Sequence, residues 1–358
     1  MENAKNILYN INMELFVSHE SALEYWRLHT DAPELTALKR TATLTDAPLP
    51  VPLLQSEKIV ELSFPIHIML SNPNARRAVA RVKQHIFSAA TPAGCFVNIG
   101  NGLMISSPEF CFLQLANELP LVKLIELGYE LCGAYSMLVP GTKPKTATPP
   151  KDVFDSHEPP AKYRNTHSTE ITTPIQSGFT SRPPLTTTKK LHTFLTHMPA
   201  AKGLQKALRS LRYVSDGAAS PMETKLAILL TLPYKSGGYH FPLPTHNSRI
   251  APIKTAKISV DKNYYVCDLF WPAHNLAVEY DSDSWHTGPE RIARDSKRRN
   301  SLSKMGVTVI TVTNRQLRNA SEFESITRVI AGHIDRRLQF TNPAFAAAHR
   351  KLRKLLMI

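Results

Sequence analysis

Acidic side chains stand late in two apolar runs, Tyr264-Tyr265-Val266-Cys267-Asp268-Leu269-Phe270 and Leu276-Ala277-Val278-Glu279-Tyr280-Asp281. Between them lies Trp271-Pro272-Ala273-His274-Asn275, a turn-like segment. If the runs form a β-hairpin, chain reversal brings Asp268 and Glu279 into one site despite their sequence separation. If they do not pair, the same residues are two solvated strand-end acids that never meet. Adjacent carboxylates repel, and burial strips their hydration, unless a cation or a proton compensates them. A hard divalent ion resolves both costs. Oxygen ligands and phosphate suit Mg²⁺, and Mn²⁺ accepts a similar donor set. Asp268 is then the direct or bridging ligand and Glu279 the second. The ion would lower the pKa of water and take up charge on a scissile phosphate during in-line attack.

Other side chains could join this chemistry. Glu223 follows Ser220-Pro221-Met222, so it reads either as the third residue of a capped helix or as a metal ligand, direct or through water. Asp281 could hold the ion or position water, and Asp283 fits a turn. His286 could orient water or protonate a leaving oxygen, because imidazole works as acid or base near neutral pH; a structural histidine is the competing reading. The next segment supplies opposite charge in Arg291, Arg294, Lys297, Arg298, Arg299 and Lys304. Arg291, Arg294 and Arg298 share a helical face, which suits phosphate binding.

The elements that must position these groups follow from the apolar pattern. Helices are expected from Ser220 and over about 289–305, with strands at about 255–260, 264–270, 275–281 and 307–312. Helix, three strands, helix, strand is a compact mixed α/β order. A capping-box pattern at Ser321-Glu322-Phe323-Glu324 begins another helix, and the segment from His349 to Lys354 is a basic tail. Towards the N-terminus, Leu62–Leu70 and the periodic segment from Phe110 to Leu131 are core material. Ser107-Pro108-Glu109 caps a helix there. His67 and Cys111 read as core residues, since no compact metal or nucleophile constellation is visible in this part of the sequence. Residues 140–188 are rich in Pro, Thr, Ser and Lys and read as a linker or mobile loop.

The whole chain has 358 residues and a formal charge of +14, with Lys and Arg numbering 43 against 29 for Asp and Glu. That surplus favours approach to nucleic acid or another polyanion but carries no sequence specificity. An apolar fraction of 42% and a charged fraction of 20% exclude disorder of the whole chain. The four cysteines lack C-x-x-C spacing, which argues against a zinc knuckle or a disulfide framework and fits a cytoplasmic protein. No signal peptide or long apolar span is evident, so no membrane association is expected.

The order Ser220-Pro221-Met222-Glu223-Thr224, Asp268-Leu269-Phe270-Trp271-Pro272, Leu276–Asp281, His286, Arg294-Asp295 and Arg298-Arg299 resembles the PD-(D/E)XK superfamily, in particular its very-short-patch repair nucleases. The resemblance covers roughly 190–318. It implies a restriction-endonuclease-like α/β fold, a mixed central sheet flanked by helices. It also implies metal-ligand roles for Asp268 and Glu279, with Glu223 as the helix acid. The usual E-x-K ending is replaced by Glu279-Tyr280-Asp281. Without that lysine, water would be assisted by Asp281 or His286, and Lys297 could reach in from the following helix. The region Gly102–Phe110 weakly resembles segments that precede nuclease-like domains in bacterial abortive-infection and toxin-antitoxin proteins.

These readings combine into an expected organisation. Residues 1–139 form a mixed α/β recognition or regulatory domain, 140–188 the linker, 189–340 the nuclease-like domain and 341–358 the basic tail. The expected activity is Mg²⁺-dependent hydrolysis of DNA phosphodiester bonds, a monomer nicking and a homodimer cutting both strands. The alternative is a noncatalytic nucleic-acid-binding or defence regulatory protein built on a nuclease-like fold.

Overall fold

Two mixed β-sheets with flanking helices organise the computed structural model, which describes residues 13–29, 40–41, 44–45, 49–89, 91–92, 94–141, 178–251, 264–282, 289–338 and 342–358. The chain divides into two units, Met1–Leu124 with Ser136–Arg209, and Ile125–Tyr135 with Ser210–Ile358.

The first unit contains β1 (Leu15–Val17), α1 (His19–Leu28), β2 (Arg40–Thr41), α2 (Glu57–Val60), β3 (Ile66–Leu70), β4 (Val82–Ile86), β5 (Phe96–Asn98), β6 (Leu103–Ser106) and α3 (Pro108–Glu118). Its sheet has the order β2-β5-β6-β1-β3-β4, with β1 parallel to β6 and antiparallel to β3. Strands β1, β3 and β6 are buried throughout, His67 and Ser106 included, as in mostly apolar strands covered on both faces. Helix α3 begins as its sequence predicts: the Ser107 hydroxyl accepts from the Phe110 N–H at 3.3 Å and Pro108 opens the first turn. Every residue from Pro108 to Ala116 is buried, so this helix is an interior element.

Helix α4 (Leu121–Cys132) leads to β7 (Tyr135–Met137), which pairs with β8 (Phe179–Ser181). Of the stretch expected to be linker, 142–177 lies outside the described residues, whereas 179–181 is strand. Helices α5 (Thr188–His197) and α6 (Leu204–Leu211) follow.

The second unit contains α7 (Pro221–Thr231), β9 (Thr245–Ile250), β10 (Tyr265–Trp271), β11 (Leu276–Asp281), α8 (Pro289–Lys304), β12 (Thr308–Thr313), α9 (Asn314–Arg318), α10 (Ala320–Ile334) and α11 (Pro343–Leu356). The sheet order is β12-β11-β10-β9. The hairpin β10–β11 is antiparallel, and β11 reaches its parallel neighbour β12 through α8. The expected strand at 255–260 lies outside the described residues. The antiparallel partner of β10 is instead β9, whose polar Thr-His-Asn-Ser-Arg-Ile sequence lacks the apolar alternation that marks a strand.

Two details at the C-terminal end differ from expectation. Helix α10 is capped by Asn319, whose side chain accepts from the Ser321 and Glu322 N–H groups at 3.0 and 3.2 Å, so the expected box at Ser321 does not begin it. The basic segment is helical, with Arg350, Lys351 and Lys354 exposed but His349 and Arg353 buried. It belongs to α11, which buries Phe345, Leu352 and Leu356, and whose Arg353 donates to the Leu317 and Arg318 carbonyls at the end of α9. Gly237, at φ 89°, admits this helix: a Cβ there would lie 2.4 Å from the Ala348 carbonyl oxygen.

Leu269, fully buried on β10 beside Asp268, ties the sheet to the core. Leu269→Ala is expected to lower unfolding free energy by roughly 2–5 kcal/mol in urea titrations. Leu243→Ala, at a residue 40% exposed, should change it by less than about 0.5 kcal/mol.

Candidate acidic centre

Asp268 occupies a break in the sheet. The β10–β11 register runs Trp271↔Leu276, Phe270↔Ala277 and Leu269↔Val278, and stops one residue short of Asp268 and Glu279. Beyond that point the Asp268 carboxylate accepts from the Tyr280 N–H at 2.9 Å, so a side chain replaces the backbone partner. On the other edge, Cys267↔Ser248 and Leu269↔His246 are paired, but Asn247 between them turns to φ 47°. Asparagine tolerates this left-handed geometry better than most residues. Asp268 and Glu279 are nevertheless buried, at 7% and 8% exposure.

Glu223 reaches this region from α7. The Ser220 hydroxyl accepts from the Glu223 N–H at 3.2 Å, and the Glu223 carboxylate turns back to accept from the Ala219 N–H at 2.9 Å and the Ser220 hydroxyl at 3.0 Å. Asn247 adds a third donor at 3.0 Å while also donating to the Gly217 carbonyl at 2.8 Å. Capping therefore does not remove Glu223 from the acidic group. Burial, and then the negative charge of Asp268, push its carboxyl up to about 7, against the lowering effect of its hydrogen bonds to Ala219, Asn247 and Ser220.

Glu279 has a different partner. Arg298 of α8 pairs both Nη atoms with the two Glu279 oxygens, and one Nη also donates to the Val266 carbonyl. Burial works to lower the Arg298 pKa, but hydrogen bonds and charge from Glu279, with smaller contributions from Cys267 and Asp268, raise it above its ordinary value. Leu302, one turn further along α8, packs with Tyr265, Cys267, Ala277 and Val307 and thereby anchors the helix that carries Arg298. Asp268 thus interacts electrostatically with Glu223 on α7 and with Arg298 on α8.

The remaining sequence-predicted residues fall elsewhere. Asp281 is exposed at the end of β11, in register with Thr313. Lys297 and Arg299 are exposed on α8, in contrast to the inward-facing Arg298. Arg291 and Arg294 lie within the span of α8, but their side chains are outside the described residues, as are Asp283 and His286. The structure adds Asn247 as a donor to Glu223 and gives Arg298 a position inside the group. Only the arginine left a sequence signal, its place in the basic helix.

A second cluster lies in the first unit. His19, His85 and Glu118 each offer a ligand atom, and these atoms all lie within 4.8 Å of one another. Such a group can coordinate a divalent metal. All four cysteines are free and buried. Among the described residues, no helix is long and apolar enough to cross a membrane.

With this geometry in view, similarity to known proteins is narrow. The chain is 36% identical over 69 residues to Uncharacterized protein MT2308 and to Uncharacterized protein Rv2248, from Mycobacterium tuberculosis strains CDC 1551 / Oshkosh and ATCC 25618 / H37Rv, a match covering 19% of this chain and 25% of each relative. The chain therefore spans about a quarter of the length of the curated relatives it matches. No protein-family profile and no solved structure matches it.

Two outcomes follow. The raised Glu223 pKa contributes stability that is fully present below about 4.5 and is lost as pH rises through about 7. Glu223→Gln removes this titration, so the wild type should lose stability relative to the variant across that window in urea unfolding. Parallel pH profiles would remove the proposed burden on Glu223. Arg298→Ala strands Glu279, and should cost about 3 kcal/mol, the lower end for a broken buried pair because the guanidinium is 28% exposed.

Proposed function

We propose that this chain is a metal-dependent DNA endonuclease with a restriction-endonuclease-like second unit related to the PD-(D/E)XK superfamily. The observation that carries the reading is the group formed by buried Glu223, Asp268 and Glu279 with partly buried Arg298, on four elements around one break in the sheet. The Arg298 guanidinium pairs with Glu279 and interacts with Asp268, and Glu223 is held toward its protonated state by burial and Asp268. Among the described residues the ligand atoms of Glu223, Asp268 and Glu279 do not all lie within 4.8 Å of one another, so Mg²⁺ or Mn²⁺, which suit oxygen donors, would have to draw them together. Asp268 and Glu223 would hold the ion, and Glu279 would join after parting from Arg298. When bound, the ion supplies positive charge for the developing phosphate charge.

The chain's own residues divide the remaining work. Asn247, Ala219 and Ser220 orient Glu223, while the Tyr280 N–H orients Asp268. Asp281 stands where the related nucleases carry lysine, so it cannot provide that lysine's charge. Arg298 supplies a guanidinium close by. Once released by Glu279, its planar fork suits bidentate contact with a phosphate. Lys297 and Arg299, exposed on the same helix, suit contacts to the DNA backbone. DNA is preferred to RNA by the family resemblance, not by the charge. A bacterial, cytoplasmic setting and the choice between monomer and homodimer belong to the same proposal.

A second reading draws on the Glu279–Arg298 pair, which occupies both Glu279 oxygens. A permanent pair would suit a nucleic-acid-binding protein that has lost cleavage. Purified full-length protein should nick or cut supercoiled DNA with Mg²⁺ or Mn²⁺ but not with chelator. Asp268→Ala and Glu279→Ala should lose about a thousandfold in rate, the scale of several kcal/mol of transition-state stabilisation, while retaining the wild-type circular dichroism spectrum. Salt-sensitive DNA binding without cleavage would support the binding protein. Full activity in either folded variant would sink its assigned role.

A further inference from the structure

We propose that the first unit carries a second cation site, selective for Zn²⁺ or another nitrogen-preferring divalent ion, with His19, His85 and Glu118 as ligands and His67 as a positioning residue. The proposal is independent of the nuclease reading and of the acidic centre.

Three segments distant in sequence build the cluster. His19 opens α1, His85 lies near the end of β4 and Glu118 closes α3. Their ligand atoms lie within 4.8 Å of one another, with His19 buried, His85 half-buried and Glu118 exposed. The site therefore has a wall of imidazole and an open carboxylate side through which an ion can enter. Imidazole selects ions such as Zn²⁺ over Mg²⁺, which prefers oxygen.

One hydrogen bond and one longer charge contact orient the histidines of the cluster. The His85 Nε2 lies 3.3 Å from the His67 Nδ1, and the His67 Nε2 lies 3.7 Å from a Glu20 carboxylate oxygen. With the His67 proton facing Glu20, its Nδ1 accepts from the His85 Nε2–H, and the His85 Nδ1 keeps its lone pair. This tautomer is assigned from the hydrogen-bond network. Carboxylate and imidazole partners of this kind commonly orient a ligating histidine. The His19 Nδ1 lies 3.0 Å from the Ser18 hydroxyl; donation to that oxygen leaves Nε2 as the free donor atom.

The backbone at His19 is itself unusual. Its φ is 50°, a conformation unfavourable for a residue with a Cβ. The surroundings impose it: the His19 N–H donates to the Gln114 side chain at 2.9 Å, and the His19 carbonyl accepts from the Cys111 thiol at 3.4 Å. Such enforced conformations concentrate at functional sites.

The His19 and His85 rings are stacked, with centroids 3.5 Å apart and planes at 14°. Nearly parallel rings point their lone pairs alongside one another. An ion can engage both only when one ring tilts, so binding exchanges the stack for coordination.

Isothermal titration calorimetry on the full chain, first with Zn²⁺ and separately with Mg²⁺, tests the site, with imidazole ¹⁵N NMR as a direct readout. Expected is saturable Zn²⁺ binding that millimolar Mg²⁺ does not displace, accompanied by shifts of the His19 and His85 nitrogens. His85→Ala and Glu118→Gln should each weaken it more than about tenfold. Glu118→Gln changes an exposed residue and so separates ligand loss from misfolding. The Asp268→Asn/Glu279→Gln double variant should retain it. Unchanged Zn²⁺ affinity in folded Glu118→Gln, or loss of Zn²⁺ binding in the double variant, would overturn the assignment.

Discussion

The cost of holding carboxylates away from water governs the second unit. A buried carboxylate needs a proton, hydrogen-bond donors or a cation, and around Asp268 the chain uses all three. Glu223 is shifted toward protonation and takes donors from Ala219, Ser220 and Asn247. Asp268 takes a backbone N–H from Tyr280, and Glu279 takes the fork of Arg298. The Ala219 and Ser220 bonds are local to the start of α7, whereas the Asn247, Tyr280 and Arg298 contacts need the sheet, α7 and α8 to be placed together.

The break in the β-ladder is the structural price of that arrangement. A continuous hairpin would satisfy the Tyr280 N–H with a carbonyl and leave Asp268 without that donor. The left-handed turn at Asn247 accomplishes something similar on the neighbouring strand, presenting its amide to Glu223. Arg298 has an electrostatic role here, and a catalytic one only under the proposed function. It neutralises Glu279 without an added ion, and the same guanidinium becomes available to phosphate if Glu279 changes partner. This exchange links a packing requirement to the proposed chemistry.

The first unit handles polarity by a different means. His19 and His67 are buried and His85 is half-buried; ring nitrogens connect His85 to His67 and His67 to Glu20, while His19 stacks on His85. The acidic centre offers carboxylate oxygens and the first unit's cluster two imidazoles with one carboxylate, so under the two proposals hard and borderline cations would sort between them. The physical distinction lies in donor chemistry, because negative charge alone would attract either ion.

Much of the second unit was legible in local pattern. The apolar runs around Asp268 and Glu279, the Ser220 cap and the basic helix each depend on neighbours within a few residues, so the amino-acid sequence determined them directly. The polar strand Thr245–Ile250 left no periodic signal, and Asn247 became a Glu223 partner only because β9 pairs with β10. The imidazole cluster was equally invisible, since His19, His67, His85 and Glu118 are far apart along the chain. Tertiary structure decided those contacts, and it turned Arg298 inward among its exposed basic neighbours, because packing of Leu302 and pairing with Glu279 depend on three-dimensional proximity.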